Sequence, residues 1–454
     1  MKDRNAVIWT RLGTQPVKMG TLSVTDIESR FTYETGYDET NLPGLGLAYP
    51  PKDFTSTIVR PRTEYFDFHP PIRSLIPSRA ERNFQRALLL KYLEKINIHP
   101  DPGFDTDWNI LINAGHGGIG HLDVFASDSA AQQWYSTPSK KGLVELDKKF
   151  GFSLKEFMTW FDGDAEFLID VLGPTPSVGG AIPKLPLSIE HAGWDGRIGL
   201  PTRFGDTDRT DIILKLENTS QYPGIIELEA LGLAMHDDAG FDVPRYWPVK
   251  VNDLNAIAIE RFDRIKNGGT VFMESIYSIL ASGNEKITNH YSTTYDHIGQ
   301  AIDNPYVQLV SDRKQAKLHL LERLIMAMLT GNGDLHLENL SIYERDGKLS
   351  FTPVYDPVPM RAYSIHNALF PAGMGFGNYG EEVDGKMIDF NTAYLRFSKN
   401  LGISKNALFN SIERLLKVTE DYDKRINALK TLPAENKVRL IEIHRDIRGG
   451  FEGF

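Results

Sequence analysis

The segment from Gly331 to Ile342, GNGDLHLENLSI, carries the polar residues whose types and spacing best suit chemistry. Asp334 stands five positions before Asn339, and Asp356 follows after two short strand-like runs. A carboxylate and an amide oxygen are ligands that suit Mg²⁺ and the phosphates that accompany it. A carboxylate at a loop tip, such as that of Asp334, can orient a hydroxyl group and take its proton. The alternative interpretation is that these residues only form polar turns.

The order of these three residues is that of the catalytic Asp, the metal-binding Asn and the second metal-binding Asp in protein-kinase-like sites. The sequence AKLHLLERLIMAML predicts a helix that leads into the segment, and LSIYER and LSFTPVYD predict two strands. Asp346-Gly347 between them predicts a hairpin turn. Because the hairpin folds back, we expect Asp356 at the end of its second strand, beside Asn339. His336 either shapes the loop or takes part in the chemistry.

A lysine inside an apolar run is the next candidate. Lys215 lies in DIILKLE, which predicts a strand, and a buried lysine is costly unless it meets an anion. Kinases use such a lysine to hold ATP phosphates and orient it with a Glu from the next helix. Glu227 and Glu229 both fall at the start of the predicted helix IIELEALGLAMHDDAG, and Glu229 is the preferred partner. The alternative is a lysine that reaches water from an edge strand.

Two further segments suit a nucleotide. In TPSVGGAIPKLPL, Gly179 and Gly180 allow a backbone to approach phosphate closely, with Ser177 and Lys184 beside them, although a Gly-Gly pair is often only a turn. Kinase folds bind adenine at a hinge, and IERFD at residues 259–263 ends a strand where the helical part begins. Phe262 is then either an apolar wall for adenine or a core residue.

The whole chain is typical of a globular protein in a reducing compartment. It has 454 residues, 41% of them hydrophobic, a net charge of −10 and no cysteine, which excludes disulfides and thiolate sites. The acidic balance argues against direct, non-specific binding to nucleic acid. No sustained apolar segment predicts a signal peptide or a membrane span, so we expect a cytoplasmic protein without membrane contact.

The pattern of the chain predicts an α+β fold in three parts. Residues 1–108 predict a small β-rich subdomain, residues 109–264 a β-rich N-lobe, and residues 265–454 a mostly helical C-lobe that includes the helix KNALFNSIERLLKV. GHGGIGH at residues 115–121 lacks the Lys-Ser/Thr of a P-loop and the carboxylate of a HExxH metal site, so we expect no site there.

Taken together, these motifs resemble the HipA family of Ser/Thr kinases, the toxins of HipBA-type toxin–antitoxin systems. The resemblance covers most of the chain and rests on MGTLSV, LGLAYPP, SVGGAIPK, DIILKLE, ERFDR and NGDLHLENLS followed by YDP. It implies a protein-kinase-like two-lobed fold with an additional β-rich N-terminal subdomain. It also implies ATP and Mg²⁺ as cofactors, a HipB-type helix-turn-helix antitoxin that carries any DNA contact, and a translation-related protein substrate such as an aminoacyl-tRNA synthetase.

The resemblance also assigns roles to residues of this chain. Asp334 corresponds to the catalytic Asp, and Ser177 corresponds to a serine that the family autophosphorylates as self-inhibition. Two positions depart from the family pattern: Ile182 stands where Gln is usual, and Glu338 stands where Lys is usual. The remaining implied roles are ATP contacts at Lys215, Glu260, Phe262 and Asp263 and magnesium ligation by Asn339 and Asp356.

Other functions remain open on the sequence alone. A kinase-like fold can also phosphorylate a small molecule or a lipid. A pseudokinase that serves as a partner subunit of a repressor complex is a third interpretation, although the complete Lys, Asp, Asn and Asp set argues against it.

Overall fold

A computed structural model of the chain describes residues 3–80, 83–137, 143–145, 184–205, 208–217, 221–251, 254–371 and 373–454. The chain divides into two compact units. The first unit comprises Met1–Leu216, Arg245–Glu274 and Ala281–Gly283. The second unit comprises Glu217–Pro244, Ser275–Leu280 and Asn284–Phe454.

The described part of the first unit contains two larger antiparallel sheets and a two-stranded one. The five-stranded sheet has the order β4-β3-β2-β1-β5, and its strands are β1 Arg4–Thr10, β2 Val17–Val24, β3 Glu28–Tyr33, β4 Ile58–Pro61 and β5 Asp123–Phe125. The four-stranded sheet has the order β10-β11-β9-β7. The remaining strands are β6 Val144–Glu145, β7 Lys184–Glu190, β8 Arg197–Ile198, β9 Arg209–Leu216, β10 Tyr246–Val251, β11 Leu254–Glu260 and β12 Met273–Ser275, of which β6 pairs with β8 and β12 ends in a residue of the second unit.

One hydrophobic core joins the five-stranded and four-stranded sheets of this unit. Alternate residues of the strands point into it, such as Ile8 in β1 and Leu214 in β9, as the two-residue period of a strand requires. The helices of the unit are α1 Pro70–Arg73, α2 Phe84–Lys95, α3 Phe104–Ala114 and α4 Asp128–Ser136. The domain boundary expected after residue 108 falls inside α3, and the core continues across it because Leu111 belongs to the same cluster.

Three buried histidines make the first unit sensitive to acid. Burial lowers the pKa of His69, His116 and His121 to about 4 each. In the unfolded chain these histidines bind protons near pH 6.5, whereas in the folded chain they stay neutral until about pH 4. Their contribution to stability is therefore fully present above pH 6.5 and is lost as the pH falls toward 4. We expect the free energy of unfolding to drop by several kcal/mol, as an order of magnitude, between pH 7 and pH 5.

Urea unfolding at the two pH values measures this drop. Carboxylates are ionised in both states over most of that interval, so the histidines dominate the change. The variant His297→Asn, which removes an exposed histidine, should keep the same pH dependence. Equal stability at pH 5 and pH 7 would contradict the expectation.

The second unit is mostly helical. Its helices are α5 Ile225–Asp238, α6 Ile276–Gly283, α7 Tyr295–Ile302, α8 Arg313–Thr330, α9 Phe390–Asn400, α10 Lys405–Val418, α11 Tyr422–Ala428 and α12 Ala434–Glu452, of which α6 ends in residues of the first unit. Its strands are β13 Ser341–Arg345, β14 Lys348–Phe351, β15 Glu382–Val383 and β16 Lys386–Met387. Among the described residues, no helix is long and apolar enough to cross a membrane.

Helix α8 leads at its carboxyl end into the candidate catalytic segment, residues 331–342. The side chain of Asp312 caps its first turn by accepting a hydrogen bond from the Gln315 amide. At the other end, the Tyr422 hydroxyl donates to the Thr330 carbonyl at 2.9 Å, and His444 Nδ1 lies 2.8 Å from the Leu329 carbonyl. These contacts satisfy carbonyls that a helix end leaves without partners, so the end of α8 is a fixed support for the loop that follows.

Candidate active site

The loop that follows α8 begins with two residues in the left-handed region. Gly331, with φ 72°, ends the helix, and Gly333, with φ 63°, comes just before Asp334. A Cβ atom at Gly333 would lie 2.8 Å from the Arg361 side chain and 2.9 Å from the Ala368 carbonyl. Glycine is therefore required at this position both for its conformation and for space.

Hydrogen bonds hold Asp334 and Asn339 in one compact turn. The Asp334 amide donates to Asn332 Oδ1 at 2.8 Å, and the His336 amide donates to the Asp334 carbonyl at 2.9 Å. Asn339 Nδ2 donates to the same carbonyl at 2.8 Å. The main chain of Asp334 is thus fixed from both sides, while its side chain remains half-exposed.

Asn339 offers an oxygen that suits a metal ion. Because a carbonyl only accepts hydrogen bonds, Nδ2 must face Asp334 and Oδ1 must face away. Asn339 is 3% exposed, and its Oδ1 atom has no hydrogen-bond partner among the described residues. A buried oxygen without a partner is costly, and a bound cation would satisfy it. The side chain therefore fits the Mg²⁺ ligand that the sequence predicts.

Asp356 follows the hairpin, but it does not lie at the end of a strand. Strand β14 ends at Phe351, because Pro353 has no amide hydrogen to continue the ladder. The predicted turn is confirmed, with positive φ at both Asp346 and Gly347 as a type I′ turn requires. Asp356 itself has φ 49°, a conformation that is uncommon for a residue with a side chain and that concentrates at functional sites.

Hydrogen bonds connect the residues on either side of Asp356 to the loop that follows α8. The Tyr355 hydroxyl donates to the Glu338 carbonyl at 2.6 Å. Burial raises the pKa of this hydroxyl, and the charges of Asp356 and Glu338 raise it further. On the other side, the Met360 amide donates to the Asn332 carbonyl at 3.2 Å. The Arg361 amide donates to the Gly331 carbonyl at 3.0 Å. Hydrogen bonds therefore connect the segment around Asp356 to the loop at both of its ends.

Three tyrosines near Asp334 were not predicted from the sequence. Burial, and then the charge of Asp334, raise the pKa values of Tyr222, Tyr291 and Tyr295, that of Tyr291 to about 12. The Tyr295 hydroxyl also donates to the Leu335 carbonyl at 2.6 Å. These hydroxyls stay protonated at neutral pH. The tyrosines come from distant segments without a motif, and no local pattern could have indicated them.

Glu338, the departure from the family pattern, faces a histidine. His290 Nδ1 lies 3.3 Å from Glu338 Oε2, and the rings of His290 and His336 are 4.5 Å apart. Burial lowers the pKa of His290 to about 4, so the ring is neutral at physiological pH. His336 Nδ1 accepts a hydrogen bond from the Glu338 amide at 3.2 Å, a contact that shapes the loop. A direct chemical role for His336 stays a prediction.

In the first unit, Lys215 lies on an interior strand. Strand β9 pairs with β7 on one side and β11 on the other. The alternative interpretation, a lysine that reaches water from an edge strand, is therefore wrong. Lys215 is 4% exposed and lies directly opposite Lys184 in the register of β7 and β9. Opposite residues of an antiparallel pair place their side chains on the same face, where like charges repel. Two lysines side by side on one face are suited to an anion such as a polyphosphate.

The two glutamates at the start of α5 differ in their surroundings. Glu227 accepts hydrogen bonds from the Lys430 and Thr431 amides at 2.7 to 3.0 Å, which occupies its carboxylate. Glu229 is fully buried. This difference favours Glu229 over Glu227 as the functional glutamate, and its pairing with Lys215 stays a prediction.

The residues of the predicted hinge have distinct positions. Glu260 is partly exposed and forms an ion pair with Arg245, whose guanidinium lies 5.5 Å from the Trp247 ring. Phe262 is half-buried and has further interactions within the structure. An adenine contact by Glu260 or Phe262 stays a prediction.

Asp263 forms a buried ion pair within the first unit. Its carboxylate accepts hydrogen bonds from Arg261 at 2.7 and 3.0 Å and from the Gly120 amide at 2.9 Å. Burial alone would raise the pKa of Asp263, but Arg261 lowers it to about 2. Arg261 also donates to the Gly117 and Gly118 carbonyls, so the glycine-rich loop at 115–121 packs against this ion pair. The ribose contact of Asp263 stays a prediction.

The predicted phosphate loop lies outside the described residues, except for Lys184 at its end. This applies to Ser177, Gly179, Gly180 and the departure at Ile182.

Comparison with known proteins places the chain in a family. The family described as the HipA-like C-terminal domain matches residues 176–422, which is more than half of the chain. The chain belongs to the HipA-like family. This match contains Lys215, Asp334, Asn339 and Asp356, and it confirms the resemblance that the motifs indicate.

Two curated relatives carry the description "Putative kinase". The one from Haemophilus influenzae is 26% identical over 256 residues, which cover 52% of this chain and 70% of that protein. The one from Sinorhizobium fredii, Y4mE, is 27% identical over 192 residues, which cover 41% of this chain and 43% of that protein. These relatives and the family support a phosphotransferase of the kinase type.

A solved structure of a toxin–antitoxin complex shares the fold. It contains HipA, HipB and operator DNA from Shewanella oneidensis MR-1 and matches with a TM-score of 0.60 at 16% identity. The alignment covers 99% of this chain and 97% of that chain. The match confirms the predicted α+β, protein-kinase-like fold of the HipA type, including the β-rich N-terminal region.

Proposed function

We propose that this protein is an ATP- and Mg²⁺-dependent serine/threonine protein kinase of the HipA type. The observation that carries the proposal is the turn in which Asn339 is bonded to Asp334 and presents a buried oxygen, together with the bond from Tyr355, next to Asp356, to the same turn. The HipA-like family and its kinase relatives support the same reaction class. The pair of lysines on β7 and β9 supports a nucleotide with several phosphates as the donor.

Each residue has a defined part in the proposed reaction. Asp334 accepts a hydrogen bond from the acceptor hydroxyl and takes its proton as the phosphoryl group is transferred. Asn339 and Asp356 would hold Mg²⁺, and the bound ion would neutralise charge on the phosphates. Lys215, with Lys184 beside it, adds positive charge for the phosphates of the nucleotide.

The proposal extends to regulation within the chain. Ser177 is the proposed site of autophosphorylation, since it stands beside the paired glycines of the predicted phosphate loop. A phosphate there adds nearly two negative charges, which would repel the phosphates of ATP. Modification of Ser177 would thus inhibit the kinase.

A partner and a target complete the proposal. The fold is shared with a HipA protein whose structure contains HipB and operator DNA, which supports a HipB-type antitoxin as the partner of this chain. The acidic chain would then reach DNA only through that partner. We propose a translation-related protein in the cytoplasm as the target, and a toxin role for the kinase.

Phosphoproteomics after controlled expression tests the function and the target together. Cells that express the wild type should gain phosphoserine or phosphothreonine on a small number of proteins and on Ser177, and cells that express Asp334→Ala should gain neither. Identical phosphoproteomes would overturn the assignment. New labelled metabolites or lipids without protein phosphorylation would instead indicate a small-molecule kinase.

A further inference from the structure

Three side chains at the catalytic loop are arranged like the ligands of a metal ion. His290, His336 and Glu338 each place one ligand atom within 4.8 Å of the other two. Within the part of the chain that the structure describes, this is the only group of three or more His, Cys, Asp or Glu residues that come so close. His336 is buried, and His290 and Glu338 are only 24% and 15% exposed. The group is therefore not a solvated surface cluster.

The distances suit a tetrahedral ion with short bonds. Zinc binds histidine nitrogen and carboxylate oxygen at about 2.0 to 2.2 Å, so two ligand atoms of a tetrahedral site lie about 3.4 Å apart. His290 Nδ1 and Glu338 Oε2 are 3.3 Å apart, close to that separation. The ligand atom of His336 lies within 4.8 Å of the other two, so small side-chain rotations bring all three to bonding distance of one ion.

The hydrogen bond that His336 forms is compatible with metal binding. Its Nδ1 atom accepts from the Glu338 amide at 3.2 Å, so the Nδ1 lone pair carries no proton. Coordination through Nδ1 exchanges one long hydrogen bond for a bond to the ion. Two imidazoles and one carboxylate, with a fourth position for water, form a ligand set that zinc-class ions prefer. Mg²⁺ prefers oxygen ligands, so this group is distinct in kind from the Asn339 and Asp356 pair.

We propose that His290, His336 and Glu338 form a regulatory site for a zinc-class divalent cation. The binding of the ion does not depend on the proposed kinase function, whereas its regulatory effect rests on it. His336 and Glu338 belong to the same turn as the catalytic residues, and the Asn339 amide donates to the His336 carbonyl at 2.9 Å. An ion held by His336 and Glu338 therefore acts directly on the turn that positions Asp334 and Asn339. We expect inhibition of phosphoryl transfer.

Calorimetric titration of the full chain with Zn²⁺, without nucleotide and with Mg²⁺ in excess, tests the binding. The wild type should bind one equivalent, and Glu338→Gln and His290→Asn should each bind at least about tenfold more weakly, as the loss of a direct ligand requires. Co²⁺ should give the visible absorption of a tetrahedral ion in the wild type only. His297→Asn, which removes an exposed histidine outside the group, should bind as the wild type does.

Thermal unfolding of the metal-free proteins keeps this test interpretable. Glu338→Gln preserves the shape of the side chain and should unfold at a temperature close to that of the wild type. Equal Zn²⁺ affinity in the wild type and in a folded Glu338→Gln protein, or no binding to the wild type, overturns the site.

A transfer assay tests the regulatory part separately. Zn²⁺ should inhibit transfer by the wild type and should inhibit Glu338→Gln much less, each relative to its own metal-free rate. Binding of Zn²⁺ without inhibition of the wild type overturns the regulatory part alone.

Discussion

The substitution Asp334→Asn is expected to lower the rate of phosphoryl transfer at least about a hundredfold, because it removes the carboxylate that accepts the proton. Asparagine has nearly the same shape, and the hydrogen bonds that fix this residue involve its main chain. The loop and the fold should therefore remain intact. Transfer of labelled phosphate from ATP to protein measures the rate, and the melting temperature should change little.

A matched substitution separates this effect from a general loss of charge. Asp346 is exposed in the turn between β13 and β14 and has positive φ, which asparagine adopts as readily. Asp346→Asn should therefore keep both activity and stability. An Asp334→Asn protein with wild-type activity, or a loss of similar size in Asp346→Asn, would contradict the role of Asp334.

The substitution Asp356→Asn is expected to reduce transfer by a similar factor and to raise the Mg²⁺ concentration required for activity. It replaces the negative carboxylate of one of the two proposed magnesium ligands with a neutral amide, whose oxygen binds the ion more weakly. Asparagine tolerates the φ of 49° at this position, so the substitution does not add backbone strain. Asp356→Ala would add backbone strain to the loss of the ligand, so it is the less informative variant.

The dependence of the rate on Mg²⁺ distinguishes this variant from Asp334→Asn. Asp356→Asn should recover part of its activity as Mg²⁺ increases, whereas Asp334→Asn should not. An unchanged Mg²⁺ dependence in Asp356→Asn would contradict its assignment as a ligand.

The sequence predicted the parts of the site that depend on local pattern. The helical periodicity of KNALFNSIERLLKV gave α10 as Lys405–Val418, and the Asp-Gly pair gave the hairpin turn. The spacing of Asp334 and Asn339 identified one turn of chain, and their hydrogen bond joins residues only five positions apart. Local interactions of this kind are encoded by neighbouring residues.

The parts that the sequence did not predict depend on distant contacts. Whether β9 is an edge or an interior strand is decided by its pairing with β7 and β11, which no local pattern reveals. The same holds for the approach of His290 to Glu338 and for the buried pair of Arg261 with Asp263. The prediction for the end of β14 was wrong for a local reason, because Pro353 has no amide hydrogen to continue the ladder.

The most direct test of the central claim is transfer of the labelled γ-phosphate of ATP by the purified full chain in the presence of a cell lysate. The wild type should label protein on serine or threonine only when Mg²⁺ is present, and Asp334→Asn and Asp356→Asn should leave little label. Labelling by both variants at the wild-type rate, or no labelling by a folded wild type, would contradict a kinase whose chemistry is carried out by Asp334, Asn339 and Asp356.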